Sequence, residues 1–292
     1  MNVREFVRNA RSRLSPVYGE KEAGAMVRLL CRNFLDLPDY IYVTGPDLEL
    51  ENEKQICLES CVSRLCAGEP LQYIIGETEF SGLRFKVTPS VLIPRPETEL
   101  LCRLLEDRLL SCGRSHLRIL DLCTGSGCIA WTLAHCIPDS TVTGADLSED
   151  ALSVAASQEI EGNPPDFIRL DVLAPQKEIA DRLGVSSYDV IVSNPPYVRE
   201  SEKSLMHRNV LEHEPEMALF VPDDDPLVFY RAIAGISSVC LVPGGMGAVE
   251  INEAFGDETR LLFAGCGMEN VHVVQDLSGK DRFVFFRKPD IG

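Results

Sequence analysis

From residue 118 onward, short apolar runs alternate with helical stretches, and this rhythm restricts the fold more than any other feature of the sequence. Residues 118–122, 141–145, 167–170 and 189–193 read as strands, the last with Val190-Ile191-Val192 at its centre. Residues 129–136 and 151–158 read as helices. A helix over 226–240, a strand over 246–251 and a helix over 254–264 follow. Strands separated by helices at this spacing pair in parallel, with the helices packed on both faces of the sheet. Two closing runs, 271–275 and 282–287, flank Asp276-Leu277-Ser278-Gly279-Lys280-Asp281 and read as a hairpin. The expected class is α/β, a doubly wound, mainly parallel, Rossmann-like sheet with an antiparallel C-terminal edge.

Residues 1–70 have a different rhythm, with helical periodicity and few strand signals. Val3, Phe6, Val7 and Ala10 form one apolar stripe, Ala25, Met26, Leu29, Leu30 and Phe34 a second, and Ile56, Leu58, Val62 and Leu65 a third. Pro38 and Thr44-Gly45-Pro46-Asp47 punctuate them. A small N-terminal helical domain is expected over 1–70, a linker with a β-hairpin around Ser81-Gly82 over 71–90, and the α/β domain over 91–292. Pro96 lies where helix N-termini tolerate proline, and Glu97 and Glu99 suit the positive end of the helix dipole.

The net charge is −17. Gripping a polynucleotide usually requires a basic footprint, so no stable nucleic-acid partner is expected. No apolar run reaches the roughly 18 to 20 residues of a membrane span, and Met1 to Arg13 lack an apolar signal core. Eleven irregularly spaced cysteines suit reduced thiols. Together these point to the cytoplasm, with no membrane partner. Cys57, Cys61 and Cys66 invite a metal reading, but their helical setting favours a buried helix face, so no metal is expected.

Asp121-Leu122-Cys123-Thr124-Gly125-Ser126-Gly127 follows a strand and precedes a helix. Open α/β sheets bind ligands beyond the carboxyl ends of their strands. Gly125 and Gly127 let backbone turn sharply and approach a ligand closely. The next strand leads to Asp146, whose carboxylate can accept from both hydroxyls of a ribose. A dinucleotide fingerprint would carry a third glycine where Ala130 stands. Asp121 is also a poor neighbour for a pyrophosphate, yet it suits a cofactor bearing an amine and a sulfonium. S-adenosylmethionine is the expected cofactor, with S-adenosylhomocysteine as its product. Asp171, after the third strand, is placed to accept from the adenine amine, with Val172 against the ring face.

The strand ending at Ser193 runs into Asn194-Pro195-Pro196-Tyr197. Two prolines fix φ twice and remove two N–H donors. The carbonyls of Asn194 and Pro195, with the Asn194 side chain, can then accept both hydrogens of a planar –NH2 group. Tyr197 can lay an aromatic face against that plane. An amide nitrogen is a poor nucleophile, whereas a sulfonium methyl is a strong electrophile. The task is therefore to orient the lone pair and stabilise charge growing on nitrogen. Nothing in the motif supplies a carboxylate base. The reaction class is S-adenosylmethionine-dependent methylation of an amino group.

The flanks of these motifs resemble the release factor glutamine methyltransferases along essentially the whole chain. The likeness is strongest in residues 69–76, 92–99, 121–127 and 193–197, with further matches at Glu214-Pro215, Ala218-Leu219, Phe229-Tyr230-Arg231, Pro243-Gly244-Gly245, Glu250 and 276–282. It implies methylation of the glutamine amide in the Gly-Gly-Gln motif of class 1 peptide chain release factors, and so a role in translation termination. It implies cofactor contacts from Cys123, Thr124, Gly125, Ser126, Gly127, Asp146, Val172 and Asn194. It implies that Asn194, Pro195, Pro196 and Tyr197 hold the glutamine and that the helical domain binds the release factor. Cys123 stands where many members carry glycine, and Asp223-Asp224-Asp225-Pro226 replaces a frequent glycine-containing turn. His207 and His213 read as structural or solvated.

Two other readings compete. Methylases of amino groups on adenine or guanine use the same tetrapeptide, and they would show a basic face near the site. A methyltransferase fold serving only as a binding module would show damage in the glycine loop or the tetrapeptide, and both are intact.

Overall fold

The computed structural model describes residues 1–35, 48–111, 113, 115–137 and 139–290. Pro38 and residues 44–47 lie outside the described residues. The chain divides into two compact units, Met1–Gly76 with His207–His213, and Glu77–Met206 with Glu214–Gly292.

The first unit is helical: Val3–Tyr18, Glu20–Leu35, Asn52–Cys66, the short helix Leu71–Ile75, and Arg208–His213. Its first helix opens with a capping box. Asn2 Oδ1 accepts from the Glu5 N–H at 2.8 Å, and Glu5 accepts from the Asn2 N–H at 3.2 Å. Val3, Phe6, Ala10 and Leu14 are buried from this helix. The second helix buries Ala23, Gly24, Val27, Leu30, Cys31 and Leu35. Its inward face is thus rotated from the expected stripe, and Leu29 is exposed while Ala25, Met26 and Phe34 are half-buried. The third helix buries Leu58, Cys61, Val62 and Leu65, whereas Ile56 is 68% exposed. Cys57 and Cys66 are exposed too, so only Cys61 of the three thiols joins the expected helix face. The expected domain end at residue 70 falls short of this unit's end, because Leu71 and Ile74 bury into the same core.

The second unit starts with a hairpin, β1 (Glu77–Phe80) and β2 (Leu83–Lys86), closing on Ser81-Gly82. The helix Pro96–Ser111 follows. The main sheet contains β3 (Arg118–Leu122), β4 (Thr141–Asp146), β5 (Asp166–Arg169), β6 (Tyr188–Ser193), β9 (Leu241–Glu250), β10 (Glu269–Gln275) and β11 (Asp281–Arg287). Two short strands, β7 (Val198–Arg199) and β8 (Phe220–Val221), pair apart from it. The main order is β10-β11-β9-β6-β3-β4-β5. β9, β6, β3, β4 and β5 run parallel, while β11 is antiparallel to both its neighbours. The α/β class and its antiparallel edge are therefore as expected. Both faces are covered. One layer packs Leu101, Leu105, Ile129 and Leu133 against Ile119 and Val190; the other packs Tyr230, Ile233 and Phe263 against Leu120 and Ile191.

Chain order reverses at β3: β4 and β5 lie to one side of it and β6 and β9 to the other. Ligands bind at such a switch point, beyond the strand carboxyl ends, because the diverging connections leave a crevice there. The register pairs Leu122 with Ser193, so the glycine loop and the Asn-Pro-Pro-Tyr loop leave the sheet side by side. Ser193 Oγ donates to the Leu122 carbonyl at 2.6 Å and ties the two strand ends together. Among the described residues no helix is long and apolar enough to cross a membrane.

Candidate active site

The loop after β3 is held from beneath. Asp121 is fully buried, and its Oδ2 accepts from Thr124 Oγ1 at 2.5 Å and from the Ala130 N–H at 3.2 Å. Burial pushes this carboxyl up to about 7, against the pull of those two hydrogen bonds. Its Oδ1 is buried and meets no donor among the described residues. Asp121 therefore sits under the loop rather than on the cleft wall, where Cys123, Thr124, Gly125 and Ser126 are found.

The two loop glycines serve different ends. Gly127 has φ +79°, and a Cβ there would meet Ala155 Cβ at 3.0 Å, Trp131 Cδ1 at 3.1 Å and Phe167 Cζ at 3.2 Å. It lets the following helix, Cys128–Cys136, pack closely, and it does not line the cleft. Gly125 has φ +55° and faces open space. Cys123 takes φ +59° without being glycine. A left-handed residue with a Cβ costs about 1 to 2 kcal/mol, so a small strain sits at the cleft floor.

Asp146, at the end of β4, lines the same cleft. Its Oδ2 accepts from the Gly125 N–H and its Oδ1 from the Ser148 N–H, both at 2.9 Å. Each oxygen keeps a lone pair for a hydroxyl. Burial raises this carboxyl, and the Ser148 and Gly125 N–H groups oppose the shift. Asp171 and Val172 line the cleft beyond β5. Asp171 Oδ1 accepts from the Leu173 N–H at 2.9 Å, which leaves Oδ2 for a ligand.

Of the tetrapeptide, Asn194 and Pro196 line the cleft, whereas Pro195 and Tyr197 do not. Among the described residues no donor is bound to the carbonyls of Asn194 and Pro195. The Tyr197 hydroxyl turns away to donate to Glu250 Oε1 at 2.9 Å. Its carbonyl accepts from Asn252 Nδ2 at 3.2 Å. Burial, then the Glu250 charge, lift its phenol well above the ordinary range.

Glu250 ends β9, and the register that pairs Ser193 with Val249 sets it beside Asn194. It is 1% exposed. Its Oε2 accepts from Thr98 Oγ1 at 2.8 Å, and Thr98 Oγ1 accepts from Asn194 Nδ2 at 3.0 Å. Burial pushes the Glu250 carboxyl up to about 6, while Thr98, Tyr197 and Arg282 pull it down. Thr98 also lines the cleft, from the first turn of the helix Pro96–Ser111.

Sequence motifs alone gave no role to Thr98, to Phe229 or to Ser90, Val91, Leu92, Pro94 and Arg95, all of which line the cleft. Two of the matched segments explain themselves here. Arg95 Nη2 meets the buried Glu214 Oε1 at 2.6 Å, and Glu214 Oε2 accepts from the Ile93 N–H at 3.2 Å. This clamp closes one wall. Arg95 is the only cation among the described residues that line the cleft, and Glu214 occupies it. With Asp146 and Asp171 on the wall, this set of hydrogen-bond acceptors fits a hydroxyl- and amine-bearing ligand better than a phosphate. That is the chemistry of S-adenosylmethionine, the cofactor of a methyltransferase domain of this kind.

Two sequence profiles match the chain, the PrmC N-terminal domain over residues 5–76 and the methyltransferase small domain over residues 96–217. Curated relatives cover nearly all of it. The release factor glutamine methyltransferase of Bacteroides thetaiotaomicron is 42% identical over 94% of this chain and 96% of its own length. That of Flavobacterium psychrophilum is 38% identical over 93% and 94%. Among solved structures, the release-factor-specific protein-(glutamine-N5) methyltransferase of Alicyclobacillus acidocaldarius is 26% identical, covering 70% of this chain and 99% of that one, with a TM-score of 0.43. Identity of this depth over almost the full length of both sequences, with the first unit and the cleft-bearing unit each matched in turn, shows that the chain belongs to the release factor glutamine methyltransferase family.

Proposed function

We propose that this chain methylates the side-chain amide nitrogen of the glutamine in the Gly-Gly-Gln motif of class 1 peptide chain release factors, leaving S-adenosylhomocysteine. One observation supports the reading above the others. A cofactor-type loop and an amide-accepting loop leave adjacent strands at the switch point and line one cleft with Asp146 and Asn194. When bound, S-adenosylmethionine supplies an electrophilic methyl group. Asp146 holds the ribose, and Asp171 and Val172 the adenine. Asn194 Oδ1 and the carbonyls of the Asn194-Pro195 segment accept from the glutamine –NH2. That fixes the nitrogen lone pair along the line of attack and stabilises positive charge as it grows. These residues would hold the nitrogen in line for transfer of that methyl group, and the proton the nitrogen gives up would pass to solvent. No side-chain base is required. Glycines on either side of the glutamine let its backbone approach without side-chain clashes. The first unit, Met1–Gly76 with His207–His213, docks the body of the release factor.

The test offers labelled cofactor and purified protein to a release factor with its motif glutamine, and to the same factor with that glutamine changed to alanine. Label should appear only on the first, and mass spectrometry should place one methyl group on the glutamine. Equal labelling of both would overturn the assignment, as would efficient labelling of ribosomal RNA or duplex DNA with none on the glutamine.

A further inference from the structure

An asparagine amide looks nearly the same either way round, so its hydrogen-bond partners decide which end faces a substrate. In this cleft Oδ1 must face the acceptor, because a –NH2 group turned that way would meet the acceptor's own N–H bonds. The chain of partners behind Asn194 fixes the choice. An ionised carboxylate only accepts. Glu250 takes the Tyr197 hydroxyl on Oε1 and the Thr98 hydroxyl on Oε2. With its one proton committed to Glu250, Thr98 Oγ1 has only lone pairs left. Asn194 must then present Nδ2 to it, as observed at 3.0 Å. Among the described residues no donor occupies Asn194 Oδ1, and Asn194 lines the cleft.

We propose that Thr98 and Glu250 are positioning residues which, through the polarity of the chain Asn194–Thr98–Glu250–Tyr197, hold the Asn194 amide with its carbonyl toward the acceptor. The inference rests on the methyl-transfer reading above and deepens it. Neither residue touches the reacting atoms. Glu250 acts at one remove, because a carboxylate is the one group at that place that cannot donate back. Burying it is costly and persists because both oxygens are engaged. Its placement follows from the fold: β9 ends beside β6, and the helix Pro96–Ser111 brings its first turn over both ends.

Three variants test this. Thr98→Val keeps the shape of the side chain and removes the acceptor. Thr98→Ser keeps the hydroxyl. Glu250→Gln keeps the size but can donate or accept, so the chain can run in either direction. With a release factor substrate, kcat should fall about tenfold or more in Thr98→Val, and Thr98→Ser should recover most of it. Glu250→Gln should fall between them. Calorimetric affinity for S-adenosylhomocysteine should change by less than about threefold in all three, whereas a merely structural role would lower affinity and thermal midpoint together. A second readout needs no turnover. In protein labelled with nitrogen-15 asparagine and no ligand, one Nδ2 proton of Asn194 should show hydrogen-bond protection from solvent exchange. That protection should be lost in Thr98→Val and kept in Thr98→Ser.

Wild-type kcat in Thr98→Val, or unchanged exchange of the Asn194 amide, would overturn the proposal. If Thr98→Val does not fold, the same two measurements on Glu250→Gln decide it, and wild-type values in both refute it. A wild-type protein that methylates some other amino group would refute the glutamine reading alone, and the amide-exchange result would still judge the chain.

Discussion

Changing Gly125 and Gly127 separately to alanine should damage the protein in two different ways, although the residues are two apart. At Gly127 the φ of +79° makes any Cβ strained, at about 1 to 2 kcal/mol. The new methyl would also press on Ala155, Trp131 and Phe167 at 3.0, 3.1 and 3.2 Å, all in the packed layer under the loop. Overpacking of that kind costs about 1 to 3 kcal/mol. Reduced freedom of the unfolded chain returns about 0.4 to 1 kcal/mol. The net loss is about 1 to 5 kcal/mol, a large part of the roughly 5 to 15 kcal/mol that keeps a domain folded. At Gly125 the strain at φ +55° is similar, but nothing lies within 4 Å of the new Cβ. After the same entropic return, stability should fall by only about 0 to 1.6 kcal/mol. Gly125 lines the cleft, so the added methyl should crowd a bound ligand and lower affinity for S-adenosylhomocysteine by about tenfold or more. Urea denaturation and titration calorimetry on both variants measure the two effects. Equal stability losses would refute the packing argument, and wild-type affinity in Gly125→Ala would refute the placement of that residue against the cofactor.

Asp146→Ala should weaken S-adenosylhomocysteine binding by about 1 to 3 kcal/mol in calorimetry, and some stability should go with it because the Gly125 and Ser148 N–H groups lose their acceptor. Asp121→Asn can still accept from Thr124 and Ala130; it should stay folded with an unchanged or higher midpoint in thermal denaturation, because it removes a buried carboxyl whose Oδ1 meets no donor among the described residues. Asn194→Ala should reduce kcat about 100-fold with little change in cofactor affinity, measured by single-turnover labelling. The rate should also fall as pH drops through about 6, because a protonated Glu250 can donate to Thr98 and release the Asn194 amide. The groups facing Glu250 are Thr98, Glu97 and Cys102 on one helix, Cys128 and Tyr230 on two others, Tyr197 on its loop and Arg282 on β11. Its folded value lies above its ordinary 4.5, so the folded state holds the proton more tightly and the Glu250 contribution to stability rises as pH falls from about 6 to 4.5. Rate and stability should therefore move in opposite directions, and Glu250→Gln should remove this limb of the rate profile.

What could be read from the sequence was what depends on neighbours along the chain. The alternation after residue 118 specifies the parallel sheet because the central strands β3 and β6 bury both faces, and 118–122 and 189–193 stand where they were expected, within a residue. The glycine loop and the tetrapeptide are contiguous, so their chemistry was legible as well. The helix Gln176–Leu183 was not, because only Ile179 and Leu183 are buried from it and every other residue but Ala180 is polar. The inward face of Glu20–Leu35 was misjudged because Ala23, Gly24 and Cys31, small and weakly apolar, take the buried positions while Leu29 does not. Tyr197 was given to the acceptor for its ring; its hydroxyl instead finds a carboxylate 53 positions away. Thr98 lies 96 positions from Asn194 and 152 from Glu250, and no spacing rule links residues that meet only because three elements end together.

The same observation explains where the site holds costly groups. Asp121 and Glu250 are both buried carboxyls near the carboxyl ends of sheet strands, and burial raises both. A core built for stability alone would carry apolar side chains at either place. Their hydrogen bonds instead run outward to the two working loops: Asp121 to Thr124 and Ala130 around the glycine loop, Glu250 to Tyr197 and, through Thr98, to Asn194. A loop on the rim of a sheet is free to drift, and aligning a methyl donor with a poor nucleophile does not tolerate drift of even about an ångström. A hydrogen-bonding carboxyl fixed in the rigid sheet removes that freedom, and at Glu250, ionised above about pH 6, it sets the direction of each hydrogen bond as well as its position. On this argument the buried carboxyl at each strand end supplies orientation. Replacing both carboxyls by neutral isosteres should then give a protein at least as stable as the wild type and much poorer at aligning its substrates.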